Sequence, residues 1–245
     1  MILLAVLLAA APGDFLPVEA MPDSSCTEPE PAPRHACLAL NRQLTGRFAE
    51  AAQEFEAGAA VMKPGDIAVD RMLAAAGNMW IAAGQPGKAA LALDKALAGS
   101  GLLADQRGEA LLDRARAAEA QGDLKTARAK VTAAAESISG DPFLWYFSAA
   151  LAIRENDPAT AKLAIGRALS LAPNDPTVLF EAGHVFQFAG DDAKARDYWT
   201  RAAAADPKGK SGDAARRALA MLEVPLTVTN QVTTQPIEED EKGKE

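Results

Sequence analysis

Two histidines and two cysteines are all the imidazole and thiol groups that 245 residues offer. A protein zinc site needs about four such ligands at short spacings, and that spacing does not occur, so no metal or other cofactor is expected. Basic residues are also in deficit: 25 Lys and Arg face 33 Asp and Glu, a formal net charge of −8. Nucleic-acid binding requires clustered cations that displace counterions, and anionic lipid attracts the same groups, so neither partner is expected. Aromatics make up 5% of the chain, and β-branched residues are sparse before the C-terminal tail. That composition disfavours sheets. No run of apolar residues is long enough to cross a bilayer as a helix, which takes roughly twenty.

What is abundant is alanine, the leading residue of a 49% apolar composition. Alanine has the best helix propensity, and its small side chain lets helices pack closely. The chain is therefore expected to be all-α.

Residues 2–11 read Ile-Leu-Leu-Ala-Val-Leu-Leu-Ala-Ala-Ala. They have the length of the apolar region of a secretory signal, and Val18-Glu19-Ala20 suits cleavage before Met21. No Lys or Arg follows Met1, so an uncleaved anchor and a buried segment stay open as alternatives. The signal reading assigns residues 1–20 to export, residues 21–31 to a proline-rich leader, and the product to a periplasm or the exterior. Cys26 and Cys37 would pair in such an oxidising compartment, pinning the leader to the first helix. The alternative is a free Cys26 and a Cys37 buried as a small apolar residue.

Internal repetition is clearest near the C-terminus. A unit beginning at Pro142 carries Trp145, Ala149, Ala152, Asn156-Asp157, Ala161, Ile165, Ala168 and Pro173. A unit beginning at Pro176 carries Leu179, Gly183, Phe186, Gly190-Asp191, Ala195, Trp199, Ala202 and Pro207. Every one of these positions matches at an offset of 34. One step back, Gly108 opens a unit with Leu111, Ala115, Ala118, Gly122-Asp123, Ala127, Val131 and Ala134. Two earlier units, near Asp70 and Ala32, hold four extra residues each. The earliest is degenerate, with Arg42 at the aromatic position and Gly58 at an alanine position.

This succession of large, small and aromatic residues, then a turn, then alanine, aromatic and alanine before a closing proline, resembles the tetratricopeptide repeat family. The resemblance covers about residues 32–207 and is strongest over 142–207. It implies an α-solenoid of about five stacked helix-turn-helix repeats, with residues 209–222 as a C-terminal capping helix and a solenoid spanning 32–223. Residues 224–245 read as a disordered acidic tail. Gly or Asn at the end of each first helix suits the left-handed conformation that stops helices, and Asp123, Asp157 and Asp191 suit the N-caps that follow. One such hairpin cannot bury its own apolar face, so neighbours must stack.

In this family the first helices line a concave surface. The resemblance places Phe143, Tyr146, Ile153, Arg154, Phe180, His184, Gln187 and Phe188 on it in the last two units. Nine of the chain's thirteen aromatics fall between residues 143 and 199. Aromatic anchors mark interaction surfaces, so this face is expected to bind an extended or helical protein segment. Packing of these rings against the capping helix or an adjacent unit is the competing expectation. In the middle unit, Glu109, Asp113, Arg116 and Glu119 fall on or beside the same face.

A catalytic site needs a nucleophile, an acid–base pair or a metal within reach of each other. His35 lies in the degenerate first unit and His184 on the groove. Gly209-Lys210-Ser211 matches the end of a phosphate loop, but Ala204 stands where the first glycine belongs and the segment lies between helices. The chain is read as a non-enzymatic adaptor of the bacterial cell envelope that binds a protein or peptide. A structural subunit of an envelope secretion or wall-synthesis assembly and a self-associating oligomer remain alternatives, and the oligomeric state is open.

Overall fold

The computed structural model describes residues 23–223, which form a short 3-10 turn, Asp23–Ser25, and eleven α-helices without a strand among them. The proposed export segment 1–20 and acidic tail 224–245 lie outside the described residues. Ten helices form five hairpins: α1 (Pro31–Leu44) with α2 (Phe48–Val61), α3 (Ala68–Ala82) with α4 (Pro86–Ala98), α5 (Ala104–Ala120) with α6 (Leu124–Ile138), α7 (Pro142–Arg154) with α8 (Pro158–Leu171), and α9 (Pro176–Phe188) with α10 (Asp192–Ala205). A single helix, α11 (Lys210–Glu223), follows. The fold is an all-α solenoid of tetratricopeptide type.

The turns inside the hairpins are decided locally. Gly122 takes a φ of 79°, and Asn156 takes 58° at the equivalent place, the conformation that ends a helix by bending its last carbonyls inward. The next residue caps the second helix. Asp123 accepts from the Thr126 N–H at 3.0 Å, Asp157 from Ala159 and Thr160, and Asp191 from Lys194 at 3.1 Å. These bonds hold all three carboxyls below their usual range. Asp141 and Asp175 do the same for the first helices α7 and α9, each followed by a proline that lacks an N–H the helix start would leave unused. In the earlier hairpins Arg47 and Gln85 stand at the N-caps of α2 and α4 and supply no side-chain cap.

Two hairpins close on a glycine. Gly183 lies under the Trp199 indole and Gly77 under Leu93, and both large side chains are almost fully buried. Trp199 Nε1 donates to the Phe180 carbonyl at 3.0 Å, which fixes the ring over the glycine. The core then runs from hairpin to hairpin through side chains shared between neighbouring clusters: Leu111, Trp145, Leu169 and Tyr198 each belong to two. A polar interlock joins the third and fourth hairpins. Arg128 on α6 donates to the buried Ser148 hydroxyl at 2.8 Å and pairs with Glu155 at 2.5 Å.

The two ends are closed differently. At the N-terminus a disulfide joins Cys26 to Cys37 of α1. Beside it Asp23 accepts from the largely buried Asn41 at 2.7 Å and faces Arg42 and Arg47. Glu28 lies near the bridged sulfurs, which as a disulfide are no longer thiolate ligands. At the C-terminus α11 lies on both α9 and α10, setting Ala215, Ala218, Leu219 and Leu222 against Leu179 and Trp199. Its other side leaves Met221 74% exposed.

The close approach at Gly183 has a measurable consequence. A methyl group there would fall inside the Trp199 indole, 2.5 Å from Cε2. Gly183→Ala should lose about 1–3 kcal/mol in a denaturant titration, the range for overpacking a filled core. Gly166→Ala, where the space around the glycine is open, should be neutral or slightly stabilising in the same titration.

Candidate protein interaction groove

Three of the junctions between units bring first helices directly together. α3 touches α5, α7 touches α9, and α9 touches α11, while no pair of second helices makes comparable contact. At these junctions the first helices lie on the inner side of the stack, and their free faces are called the inner wall.

A linked row of side chains crosses that wall. Asn78 on α3 donates to Asp113 on α5 at 2.7 Å, and Arg116 donates to the other oxygen of Asp113 at 2.8 Å. The Arg116 guanidinium also lies over Phe143 of α7, 5.4 Å from the ring centroid. Phe143 meets Tyr146 edge to face at 4.8 Å. Tyr146 packs against the core formed by α7, α8 and α9, and its hydroxyl is raised by burial and by the charge of Glu181 on α9. Farther along α9, Phe180 meets His184 edge to face at 4.6 Å, and His184 meets Trp199 at 5.4 Å.

The eight expected groove residues divide into two groups, with His184 apart from both. Phe143, Tyr146, Ile153 and Phe180 are half-buried and contribute to core clusters, Phe180 to the one that includes α11. Arg154 and Gln187 are exposed, and Phe188 is half-buried without belonging to any core cluster. Arg154 is tied to α5 through an ion pair with Glu119 and a bond to the Glu119 carbonyl. His184 is wedged between rings, and burial lowers its pKa, which favours the neutral imidazole. The rings thus pack partly into the core and keep part of their surface exposed.

Glu181 is the residue that the sequence reading passed over. It stands three residues before His184, and burial raises its carboxyl to about 7. No cation or hydrogen-bond donor reaches it among the described residues. Its signal in the sequence is a lone acid inside the apolar stretch Val178-Leu179-Phe180-Glu181-Ala182. Burial also raises Asp113, against the opposing pull of Arg116 and Asn78, and raises Glu109, which in addition feels Asp105, Asp113 and Asp141.

Two shallow clefts lie away from this row. One, of about 260 Å³, is bordered by Gly46, Phe48 and Ala83, and the other, of about 270 Å³, by Ser139, Trp145 and Arg167. Both fall below the roughly 300–1,000 Å³ usual for a small-molecule site. Among the described residues, no helix is long and apolar enough to cross a membrane.

No family model matches the chain, and no curated protein sequence matches it. Solved structures do resemble it. PilW, a widely conserved type IV pilus biogenesis factor, is 16% identical with a TM-score of 0.65, over 78% of this chain and 85% of that one. PilF of Pseudomonas aeruginosa is 16% identical with a TM-score of 0.61, over 78% and 83%. YrrB, a TPR protein with an unusual peptide-binding site, is 14% identical with a TM-score of 0.55, over 81% and 98%. At these identities the likeness is one of fold.

The raised carboxyl of Glu181 makes stability depend on pH. The unfolded side chain ionises near its ordinary value of 4.5, the folded one only near 7. The folded state is therefore progressively penalised as pH rises between those values, and the penalty is constant above them. Glu181→Gln should raise thermal stability at pH 8, by at most about 3 kcal/mol, and leave it unchanged at pH 4. Paired melting curves at the two pH values test this, and equal shifts at both would remove Glu181 as the cause.

Proposed function

We propose that this chain, a solenoid of the tetratricopeptide repeat fold, is a non-enzymatic adaptor that holds a segment of a partner protein on its inner wall. The carrying observation is the row of half-buried rings on α7 and α9, packed against the core while part of their surface stays exposed. Rings held this way offer apolar contact at little further cost in side-chain entropy, the property of good anchors in interfaces. Arg154 and Gln187 supply a polar rim beside them. YrrB, of the same fold, has a peptide-binding site, which supports this use of the scaffold.

The chemistry of the described residues supports a binding role over a catalytic one. His35 is engaged by Glu54 at 2.5 Å, and His184 is enclosed by rings. Neither stands next to a nucleophile, and the raised carboxyl of Glu181 has no acid–base partner of opposite function beside it.

Two features support a place in the cell envelope. The apolar residues 2–11 have the form of an export signal. The Cys26–Cys37 disulfide belongs to an oxidising compartment. PilW, of the same fold, is a pilus biogenesis factor, which fits an adaptor serving a larger envelope assembly.

Two measurements test these readings. Cross-linking in the native host should recover a partner with the wild-type chain and lose it with a Phe188→Ala, Gln187→Ala double variant, whose changes lie outside the core clusters. Undiminished recovery with a folded variant would move the site off this wall. Mass spectrometry of the native protein should find Cys26 and Cys37 bonded to each other and a chain beginning near Met21. A reduced pair on a chain that retains residues 1–20 would overturn export.

A further inference from the structure

Gly166 stands in the middle of α8, where glycine is the least favourable residue short of proline. The other glycines inside helices beyond the first turn each lie under a neighbouring side chain: Gly58 under Met72, Gly77 under Leu93, Gly108 under Ile138 and Gly183 under Trp199. Gly166 is exposed, and the space around it is open. Leu163, 63% exposed, and Leu171, 45% exposed, share its face of the helix with Arg167 and Ser170. A glycine that permits close approach, flanked by large apolar residues, is how helices of this chain meet one another. On α8 the same pattern faces outward, with nothing over it among the described residues.

The shallow cleft of about 270 Å³ opens beside this face, bordered by Ser139 at the end of α6, Trp145 of α7, and Arg167, Ser170 and Leu171 of α8. Trp145 is fixed there by its indole N–H, which donates to the Ser139 carbonyl at 2.7 Å. The Arg167 guanidinium lies over the indole, 4.3 Å from the ring centroid. Among the described residues it makes no ion pair and no side-chain hydrogen bond, so its donors are oriented but unused. The charge around it has one sign. α8 carries Lys162 and Arg167 and no acid, and α6 carries Lys125, Arg128 and Lys130 against Glu136 alone. Arg128 is neutralised by Glu155. The remaining cations give these two second helices a positive excess in a chain whose net charge is −8.

We propose that this face of α8 is a second docking surface, for an acidic segment of a partner protein. The segment lays its backbone over Gly166, sets apolar side chains against Leu163 and Leu171, and directs an Asp or Glu to the Arg167 guanidinium. A planar guanidinium already held in place takes a carboxylate through two parallel bonds. Trp and Arg are the residues that most often dominate the energetics of an interface, and here they stand together. The surface lies on a second helix, apart from the inner wall, and does not depend on that wall binding anything.

Random twelve-residue peptides displayed on phage, selected against the full-length chain and sorted on its variants, test this. Gly166→Gln should melt no lower than the wild type, because it replaces a helix-interior glycine in open space. Arg167→Ala and Arg167→Glu alter an exposed residue outside the core clusters. The expected result is a class of peptides with an Asp or Glu beside apolar residues that bind the Phe188→Ala, Gln187→Ala variant as well as the wild type. Gly166→Gln should not retain them, and Arg167→Ala should weaken them by about 10- to 100-fold, the range for loss of one charge-assisted bond. Arg167→Glu should reject such a peptide and accept its counterpart with Lys in place of the acid. Peptides that need Gly166 but carry no acid, or are indifferent to Arg167, would overturn the acidic assignment. Binders that all depend on Phe188 and Gln187 and ignore Gly166 would overturn this surface and leave the inner wall standing. Acidic peptides that need α8, with none that need Phe188 and Gln187, would support this surface and count against the inner wall. A selection that yields no binder would overturn both.

Discussion

A two-helix hairpin built on glycine and alanine is too thin to have an interior of its own. Gly183 beneath Trp199 and Gly77 beneath Leu93 bring the paired helices so close that the apolar residues flanking the seam face outward. Only the next hairpin can cover them. The sharing of Leu111, Trp145, Leu169 and Tyr198 between neighbouring clusters is that covering. It also explains the ends of the described residues: the N-terminal segment is bound down through Cys26 and Asp23, and α11 lies across Leu179 and Trp199.

The same stacking brings the first helices into contact and makes the inner wall a half-dry surface. Polar groups there keep part of their exposure and lose part of their solvent. Asp113 meets this by accepting from Asn78 and Arg116, residues of two different hairpins. Burial raises both carboxyls, and at Glu181 no donor opposes it. Tyr146, between the two acids along the wall, feels the negative charge of α9 and the positive charge of Arg116 at once. The groove is thus neither a uniform apolar trough nor a charged clamp, but rings interrupted by carboxylates.

The fold was legible in the chain because the family pattern records local requirements. The 34-residue offset between Pro142 and Pro176 carries the hairpin unit, and its glycine and aspartate positions appear in the structure as left-handed turns and N-caps. The caps Asp141 and Asp175 were equally available to a reading of the sequence but sit just ahead of the prolines chosen as unit starts. The groove was legible only in outline. Phe143, Tyr146, Ile153 and Phe180 were placed on the inner wall by the repeat register, which says nothing of how deeply each ring is set into the core.

What the sequence determined by itself is therefore what depends on a turn or two of chain: helix identity, helix ends, the small and large positions of each hairpin, and the order of repeats. Tertiary structure alone decided the relations between residues 20 to 35 positions apart. Arg128 meets Ser148 and Glu155 across a hairpin boundary, Asn78 reaches Asp113, and the charge of Glu181 on α9 acts on the Tyr146 hydroxyl of α7. Repeat register places such residues on a common face, but the solvent they lose and the partners they find depend on how closely the hairpins stack. Burial and pairing across hairpins made Glu181 an unpartnered acid and Asp113, at the equivalent position, a satisfied one.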